Sequence, residues 1–279
     1  MAHVDSTGGV RLAVHDLGGS GGTGGTGDEI LLAHATGFHG FVWRPLAGCL
    51  DGVRSVAPDL RGHGDSTAPS GLDYRWDGFA DDVLAVVDGL GLAGTRAVGH
   101  SMGGAALLLA EQRRPGTFAA LYVYEPVVFP PEWAFGDGEN PLAAGAERRR
   151  ATFPSYEAAV RRYATRPPLD ELRADALEDY VAHGFTPSDG EVRLKCPPAH
   201  EAAVFRMSTS ADVWSGLRDV RCPTVVAFGS DDRPGPVSVA PTVAERLADG
   251  KAERFEGLGH FGPLEDPPAV AASIEQAFR

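Results

Sequence analysis

Cysteine is scarce in this chain of 279 residues. Cys49, Cys196 and Cys222 are widely spaced and odd in number, which excludes a disulfide framework and the paired spacing of a zinc site. They read as structural thiols in a reducing compartment, and the expected location is the cytoplasm. Long apolar runs are missing too, and no stretch reaches the length needed to cross a bilayer. Residues 1–10 lack the basic patch and apolar stretch of a secretory signal. Basic side chains are outnumbered, 25 Lys and Arg against 38 Asp and Glu, for a formal net charge of −13. Nucleic acid or an anionic membrane would be repelled by that excess, so the expected partner is a small molecule. Nothing in the sequence specifies an oligomeric state.

What is present is ordinary for a globular protein, with 43% hydrophobic and 23% charged residues. Short β-rich runs alternate with helical patterns, which predicts an α/β fold with a mostly parallel sheet flanked by helices. Strands are expected at 10–16, 30–34, 54–58, 97–99, 119–124, 224–228 and 252–255, and helices at 79–90, 103–113, 237–248 and 268–278. Phe79, Val83, Val86, Val87 and Leu90 fall on one helical face. Residues 18–27 are almost only Gly, Ser and Thr and predict a flexible loop. From 127 to 212 the strand signals fade. Prolines and charged helical pieces take over, and aromatics recur at Phe129, Trp133, Phe135, Phe153, Tyr156, Tyr163, Tyr180, Phe185 and Phe205. The pattern predicts a sheet domain over 1–126 and 213–279, interrupted by a helical insertion at 127–212. That insertion shows no sheet of its own and is expected to rest on the core as a cap.

The chemistry concentrates in three places. Gly99-His100-Ser101-Met102-Gly103 is a Gly-x-Ser-x-Gly pentapeptide between an apolar strand and an Ala/Leu-rich helix. A serine on such a sharp strand-to-helix turn sits in strained backbone, and larger flanking side chains would collide with the neighbouring strand and helix. The hydroxyl is held clear of the sheet, over a helix N-terminus that favours developing negative charge. Serine needs a base at neutral pH. Of the nine histidines, His260 stands in Gly257-Leu258-Gly259-His260-Phe261-Gly262, a glycine-flanked loop directly after the last expected strand. A carboxylate on a neighbouring strand end should orient that base. Asp232, in Gly229-Ser230-Asp231-Asp232 after the 224–228 strand, is the expected acid, and Glu125, after the 119–124 strand, is the alternative. Two close carboxylates would repel, so only one can make the buried hydrogen bond.

Together with His34-Ala35-Thr36-Gly37-Phe38, Trp43 and Asp59-Leu60-Arg61-Gly62-His63-Gly64-Asp65-Ser66, these motifs make the chain resemble the α/β-hydrolase superfamily, in its capped serine hydrolase (esterase- or lactonase-like) branch. The resemblance spans nearly the whole core and implies the chain order Ser101, Asp232, His260 for the triad. It also implies an oxyanion hole made by the backbone N–H groups of Met102 and Thr36. Many relatives carry glycine where this chain has Ala35, and Gly37 is the nearest alternative donor.

Other residues in these motifs have plainer readings. His34, Arg61 and His63 are expected to shape loops, and His100 to be a packed neighbour of the nucleophile. His39 either lines the entrance or is an exposed loop residue. His183 and His200 fall in the insertion, where solvent or core roles are the default. Glu147-Arg148-Arg149-Arg150 reads as a solvated helix face, and most aromatics of the insertion read as core.

A serine with a base and an oxyanion hole suits attack on a carbonyl: an ester, lactone, thioester or activated amide. The expected substrate is a largely apolar ester or lactone, with no cofactor and no metal. Rivals with the same residues are a lactonase, a carbon–carbon bond hydrolase and a haloperoxidase-like enzyme. A rival of another class is a ligand receptor that keeps a hydrolase-like pocket.

Overall fold

Eight strands form one sheet in the computed structural model, which describes residues 1–18, 29–133, 140–230 and 235–279. The sheet opens with two antiparallel pairings, β1 (Ala2–Asp5) on β2 (Arg11–Asp16) and β2 on β4 (Arg54–Pro58). From there it is parallel, through β3 (Glu29–Ala33), β5 (Thr95–His100), β6 (Phe118–Tyr124), β10 (Thr224–Phe228) and β11 (Gly250–Arg254). Parallel strands need crossovers, and helices supply them: the single turn α1 (Arg44–Ala47), α2 (Trp76–Leu90), α3 (Met102–Arg113) and α8 (Pro236–Arg246); the single turn α9 (Gly262–Glu265) and α10 (Pro267–Ala277) follow β11. The expected strands are found within two residues of their predicted positions. Strand β1 was not anticipated, because as a solvent-facing edge strand it carries no apolar alternation. The glycine-rich stretch, apart from Gly18, lies outside the described residues.

Apolar side chains fill both faces of the sheet. One face packs Val83, Val86 and Val87 of α2 and Leu107 and Leu108 of α3 against Leu31, Ala97 and Val123. Because α3 is buried almost all round, its sequence has little polar face to show. The other face joins Ile30, Leu32, Val98 and Tyr122 to Ile274 of α10 and to Phe153, Tyr180 and Phe185 of the inserted segment. The insertion therefore shares the core of the sheet it interrupts.

Between β6 and β10 the chain leaves the sheet and builds α4 (Pro141–Glu147), α5 (Tyr156–Tyr163), α6 (Ala174–Gly184) and α7 (Pro198–Arg206). Here the structure differs from the sequence expectation. A three-stranded antiparallel sheet runs through the segment, β7 (Thr152–Phe153), β9 (Glu191–Leu194) and β8 (Phe185–Ser188). These strands have two to four residues each, too few for an alternation to register, and Pro187 interrupts the middle of β8. One signal was available: Asp189-Gly190, both at positive φ (50° and 79°), forms the two-residue hairpin turn between β8 and β9.

Two glycines set how closely α3 approaches the sheet. A Cβ on Gly103 would lie 2.2 Å from the carbonyl oxygen of Ala33 at the end of β3, and one on Gly99 would lie 2.7 Å from the backbone of Gly104. Backbone cannot yield as a flexible side chain can. Gly103→Ala should therefore destabilise the protein by about 1–3 kcal/mol. Gly145→Ala, in α4 where a Cβ meets nothing within 4 Å, should be neutral or stabilising by up to about 1 kcal/mol. Urea midpoints of the two variants check the contrast, and equal midpoints would contradict the tight helix–sheet contact.

Candidate active site

Ser101 follows β5 and caps α3 with φ 54° and ψ −115°, a conformation a side chain enters only under strain. Its amide donates to the Tyr124 carbonyl at 3.0 Å, and its carbonyl accepts from Ala105 at 3.1 Å and Val127 at 3.2 Å. The turn is thus fixed by β6 on one side and by its own helix on the other. Met102 begins α3, where the first amides lack an intrahelical acceptor. Neither the Met102 nor the Thr36 amide has a partner among the described residues. The Gly37 amide is engaged, donating to His63 Nε2 at 3.0 Å, and so is not free to act as the alternative donor.

His260 meets Glu125. Its Nδ1 lies 2.7 Å from Glu125 Oε2, and the carboxylate is almost wholly buried. Glu125 sits just past β6 at φ 41°, with its amide donating to Ala227 at 2.8 Å and its Oε1 accepting from the Gly229 amide at 3.0 Å. One carboxylate oxygen is held by β10's end and the other faces the imidazole. Asp232, the acid first expected, lies outside the described residues.

The loop around His260 is held on every side. Both oxygens of Glu265 accept backbone amides, from Gly259 at 2.8 Å and from Phe261 at 3.0 Å. Tyr124 Oη donates to the Gly259 carbonyl at 2.9 Å, and His100 Nε2 donates to the His260 carbonyl at 2.8 Å. The residue before Ser101 therefore positions the histidine loop, in keeping with the packed-neighbour reading of His100. Burial, then the neighbouring His260, holds the His100 pKa well below the usual histidine value, so the ring stays neutral with Nε2 protonated. Burial raises the Glu265 pKa, and the neighbouring carboxylates Glu171 and Glu125 add to the shift. Sequence reading missed Glu265; the signal lay in its place five residues after His260, one turn of chain back toward the same loop.

The remaining motif residues do shape loops. His34 donates from Nδ1 to Ala35 and accepts the Leu60 amide at Nε2, at 2.8 and 2.9 Å. His63 donates from Nδ1 to the Arg61 carbonyl at 2.9 Å. Arg61 forms a buried pair with Asp82 at 2.7 Å. Asp59 accepts from the amides of Gly40 and Asp65 and from His15 Nε2, and the Asp65 carboxylate beside them pairs with Lys195 at 2.6 Å. His39 is neither exposed nor at an entrance: it is buried, with Nε2 donating to the Tyr180 carbonyl at 3.0 Å. His183 stacks on Phe41 with ring centroids 3.8 Å apart, and His200 packs on Tyr74. The cysteines are free, and burial pushes the Cys222 thiol up to about 11 and Cys196 higher still, so neither is a ready nucleophile.

One run departs from its expectation. Arg148 and Arg150 are exposed, but Arg149 turns inward. It pairs with the buried Glu201 of α7 at 2.5 Å and donates to the hydroxyls of Tyr180 at 2.5 Å and Tyr163 at 3.3 Å. Phe153, Tyr180 and Phe185 are buried, whereas Trp133 is 44% exposed; Phe135 lies outside the described residues. Phe38 links the insertion to the histidine loop, with its ring 5.1 Å from Tyr180 and 5.5 Å from Phe261.

Comparison with known proteins identifies the family and the fold. Residues 30–273 match the alpha/beta hydrolase family. The chain is 35% identical over 264 residues to lipase LipV of Mycobacterium tuberculosis, covering 88% of this chain and 91% of the lipase. It is 30% identical over 228 residues to a non-heme chloroperoxidase of Streptomyces lividans, covering 78% and 79%. Among solved structures, an E-2-(acetamidomethylene)succinate hydrolase superposes with a TM-score of 0.79 over 99% of this chain and 98% of that one, at 23% identity. No helix among the described residues is long and apolar enough to cross a membrane.

Burial dominates the histidine electrostatics, and this has a consequence for stability. It lowers His34 to about 3 and His39 and His63 to about 4. The unfolded chain takes up these protons below about pH 6.5, while the folded protein resists until its own lower values. Stability should thus be full above pH 6.5 and fall as pH drops toward 4, by up to about 1.4 kcal/mol per pH unit for each such histidine. His39→Gln, which keeps a donor for the Tyr180 carbonyl, should flatten that slope. Urea unfolding at pH 7, 6 and 5 checks both; a slope unchanged by the substitution would contradict a neutral His39.

Proposed function

The chain belongs to the alpha/beta hydrolase family, and from that premise we propose that it is a serine hydrolase cleaving a carboxylic ester or related carbonyl substrate through an acyl-enzyme on Ser101. The observation that carries this reading is the buried Glu125 carboxylate 2.7 Å from His260 Nδ1, in a loop tied by His100 to the strained Ser101 turn. Glu125 takes the role of the triad acid, in place of Asp232. Its hydrogen bond fixes the imidazole tautomer, leaving Nε2 unprotonated and available as the base.

The Ser101 hydroxyl attacks the carbonyl while His260 Nε2 takes its proton. The oxyanion is held by the Met102 and Thr36 amides, which have no partner among the described residues and so are free to donate to it. Collapse of the tetrahedral intermediate expels the leaving alcohol, which receives the proton from His260. Water then gives a proton to the same nitrogen and attacks the acyl group. A second collapse returns that proton to Ser101 and releases the acid. Glu125 stays ionised throughout and stabilises the transient imidazolium. A lactone would follow the same steps with acid and alcohol in one product. The chloroperoxidase relative supports a second reading, a haloperoxidase-like activity carried by the same residues. The inserted segment, sharing Tyr180 and Phe38 with the site's loops, acts as the cap that selects the acyl group. The net charge of −13 disfavours nucleic acid and anionic membranes as partners and leaves a small-molecule substrate.

Two experiments test the assignment. A fluorophosphonate probe should add once per chain on the elbow peptide, and Ser101→Ala should abolish both labelling and hydrolysis of a short-chain nitrophenyl ester. Labelling that persists in the variant removes Ser101 as nucleophile. Separately, Glu125→Gln should lower kcat by about 10⁴-fold through the wrong tautomer, while Asp232→Asn has a far smaller effect. The reverse ranking in folded variants would return the acid to Asp232.

A further inference from the structure

Above the elbow, an ion pair sits where a stability argument alone would not place it. Glu201 and Arg149 belong to the insertion, yet the Glu201 carboxylate rests on the Thr36-Gly37 turn of the core. A Cβ on Gly37 would lie 2.7 Å from Glu201 Oε1 and 3.4 Å from an Arg149 guanidinium nitrogen. Gly37 is at φ 81°, and its amide is already held from below by His63 at 3.0 Å. The turn is therefore gripped on two sides, by an imidazole of the core and a carboxylate of the insertion. Arg149 completes the upper grip, because its guanidinium holds Glu201 and the Tyr180 and Tyr163 hydroxyls in one planar array. Tyr180 returns to the same loop twice, through its ring on Phe38 at 5.1 Å and through its carbonyl on His39 at 3.0 Å. An enclosed ion pair is a weak net stabiliser, since desolvation offsets the attraction, but a fully bonded one fixes geometry.

We propose that Arg149 and Glu201 are positioning residues: they clamp the Thr36-Gly37 turn from the insertion and so aim the Thr36 amide at the oxyanion. This rests on the proposed role of Thr36 and Ser101. The consequence is that these two residues of the insertion help to set the geometry of the site, because without the clamp the turn that carries the second oxyanion donor keeps the His63 contact and loses the other. Neither residue touches the reacting atoms; each acts through the turn.

The test uses Arg149→Met, Glu201→Ala and Glu201→Gln in the full chain, with Arg206→Gln, which breaks the exposed Arg206–Glu147 pair of the same insertion, as the control. Two readouts are taken: kcat and KM on nitrophenyl butyrate, and the maximal rate and half-saturation of phosphonylation by a fluorophosphonate, whose phosphoryl oxygen needs the same donors. Arg149→Met and Glu201→Ala should lower kcat and the maximal phosphonylation rate together by at least about tenfold, approaching the loss of one oxyanion donor. KM and half-saturation should stay within about threefold, a range too small to represent loss of a binding contact. Glu201→Gln keeps the shape against Gly37 and should fall between wild type and Glu201→Ala, and it carries the test if the larger changes prevent folding. Arg206→Gln should match wild type. The proposal is overturned if the variants raise KM at constant kcat, which would make Arg149 a substrate contact. It is equally overturned if only the fraction of labelled protein falls while its rate constant holds, which would make the pair structural. A wild type that never labels at Ser101 overturns the serine hydrolase reading and this inference with it, whereas a labelling wild type with unaffected variants removes the clamp alone.

Discussion

The contact between α3 and the sheet is the constraint on which the rest of the site depends. Gly103 lets the helix start against the last carbonyl of β3, and Gly99 lets β5 pass the same helix. No other residue type fits at either place, so the chain between them has one short path, and Ser101 takes it at positive φ. The strain is of order 1–3 kcal/mol and is supported by hydrogen bonds to Tyr124, Ala105 and Val127. Because α3 begins beside β3, the Met102 amide starts next to the turn that follows β3, and the Glu201 carboxylate meets that turn at Gly37 from the insertion. Ser101 and the two proposed oxyanion donors therefore depend first on this packing distance.

The charges around this contact are each committed to a separate task. Glu125 faces His260, Glu265 holds the amides on either side of it, and Asp59 and Asp82 tie down the loops after β4 through His15, backbone amides and Arg61. The buried histidines at 34, 39, 63 and 100 are kept neutral by burial and serve as hydrogen-bonding spacers between backbone groups. His260 differs from them in being partly exposed, with 29% of its side chain open, which suits the proposed role of a base that exchanges protons with substrate and water. Local environment thus separates His260 from its neighbours.

Most strands and helices of the core were legible in the sequence, because each element buries one face and the period of its apolar residues records this, whereas the order of the strands comes from contacts that no local pattern records. The serine and histidine motifs were legible because their glycines are steric requirements of the turn. The acid was harder to read: Glu125 and Asp232 both follow β-strands, and sequence position alone does not say which carboxylate reaches His260 Nδ1. The insertion was least legible. Its strands are too short to alternate, and its ordering comes from contacts across long sequence separations. Arg149 shows the limit well, since its neighbours Arg148 and Arg150 are solvated while it reaches Glu201, 52 residues further along the chain.

A covalent acyl group carried by Ser101 is the central step of the proposed mechanism, and partitioning of that group between two acceptors tests it most directly. Nitrophenyl, phenyl and thiophenyl esters of one acyl chain should be hydrolysed in the presence of a fixed amount of methanol, and the ratio of methyl ester to acid measured. A common acyl-enzyme predicts one ratio for all three, because the leaving group has departed before the acceptor is chosen. A ratio that changes with the leaving group would show direct attack by water or methanol on the bound ester, and would contradict the mechanism.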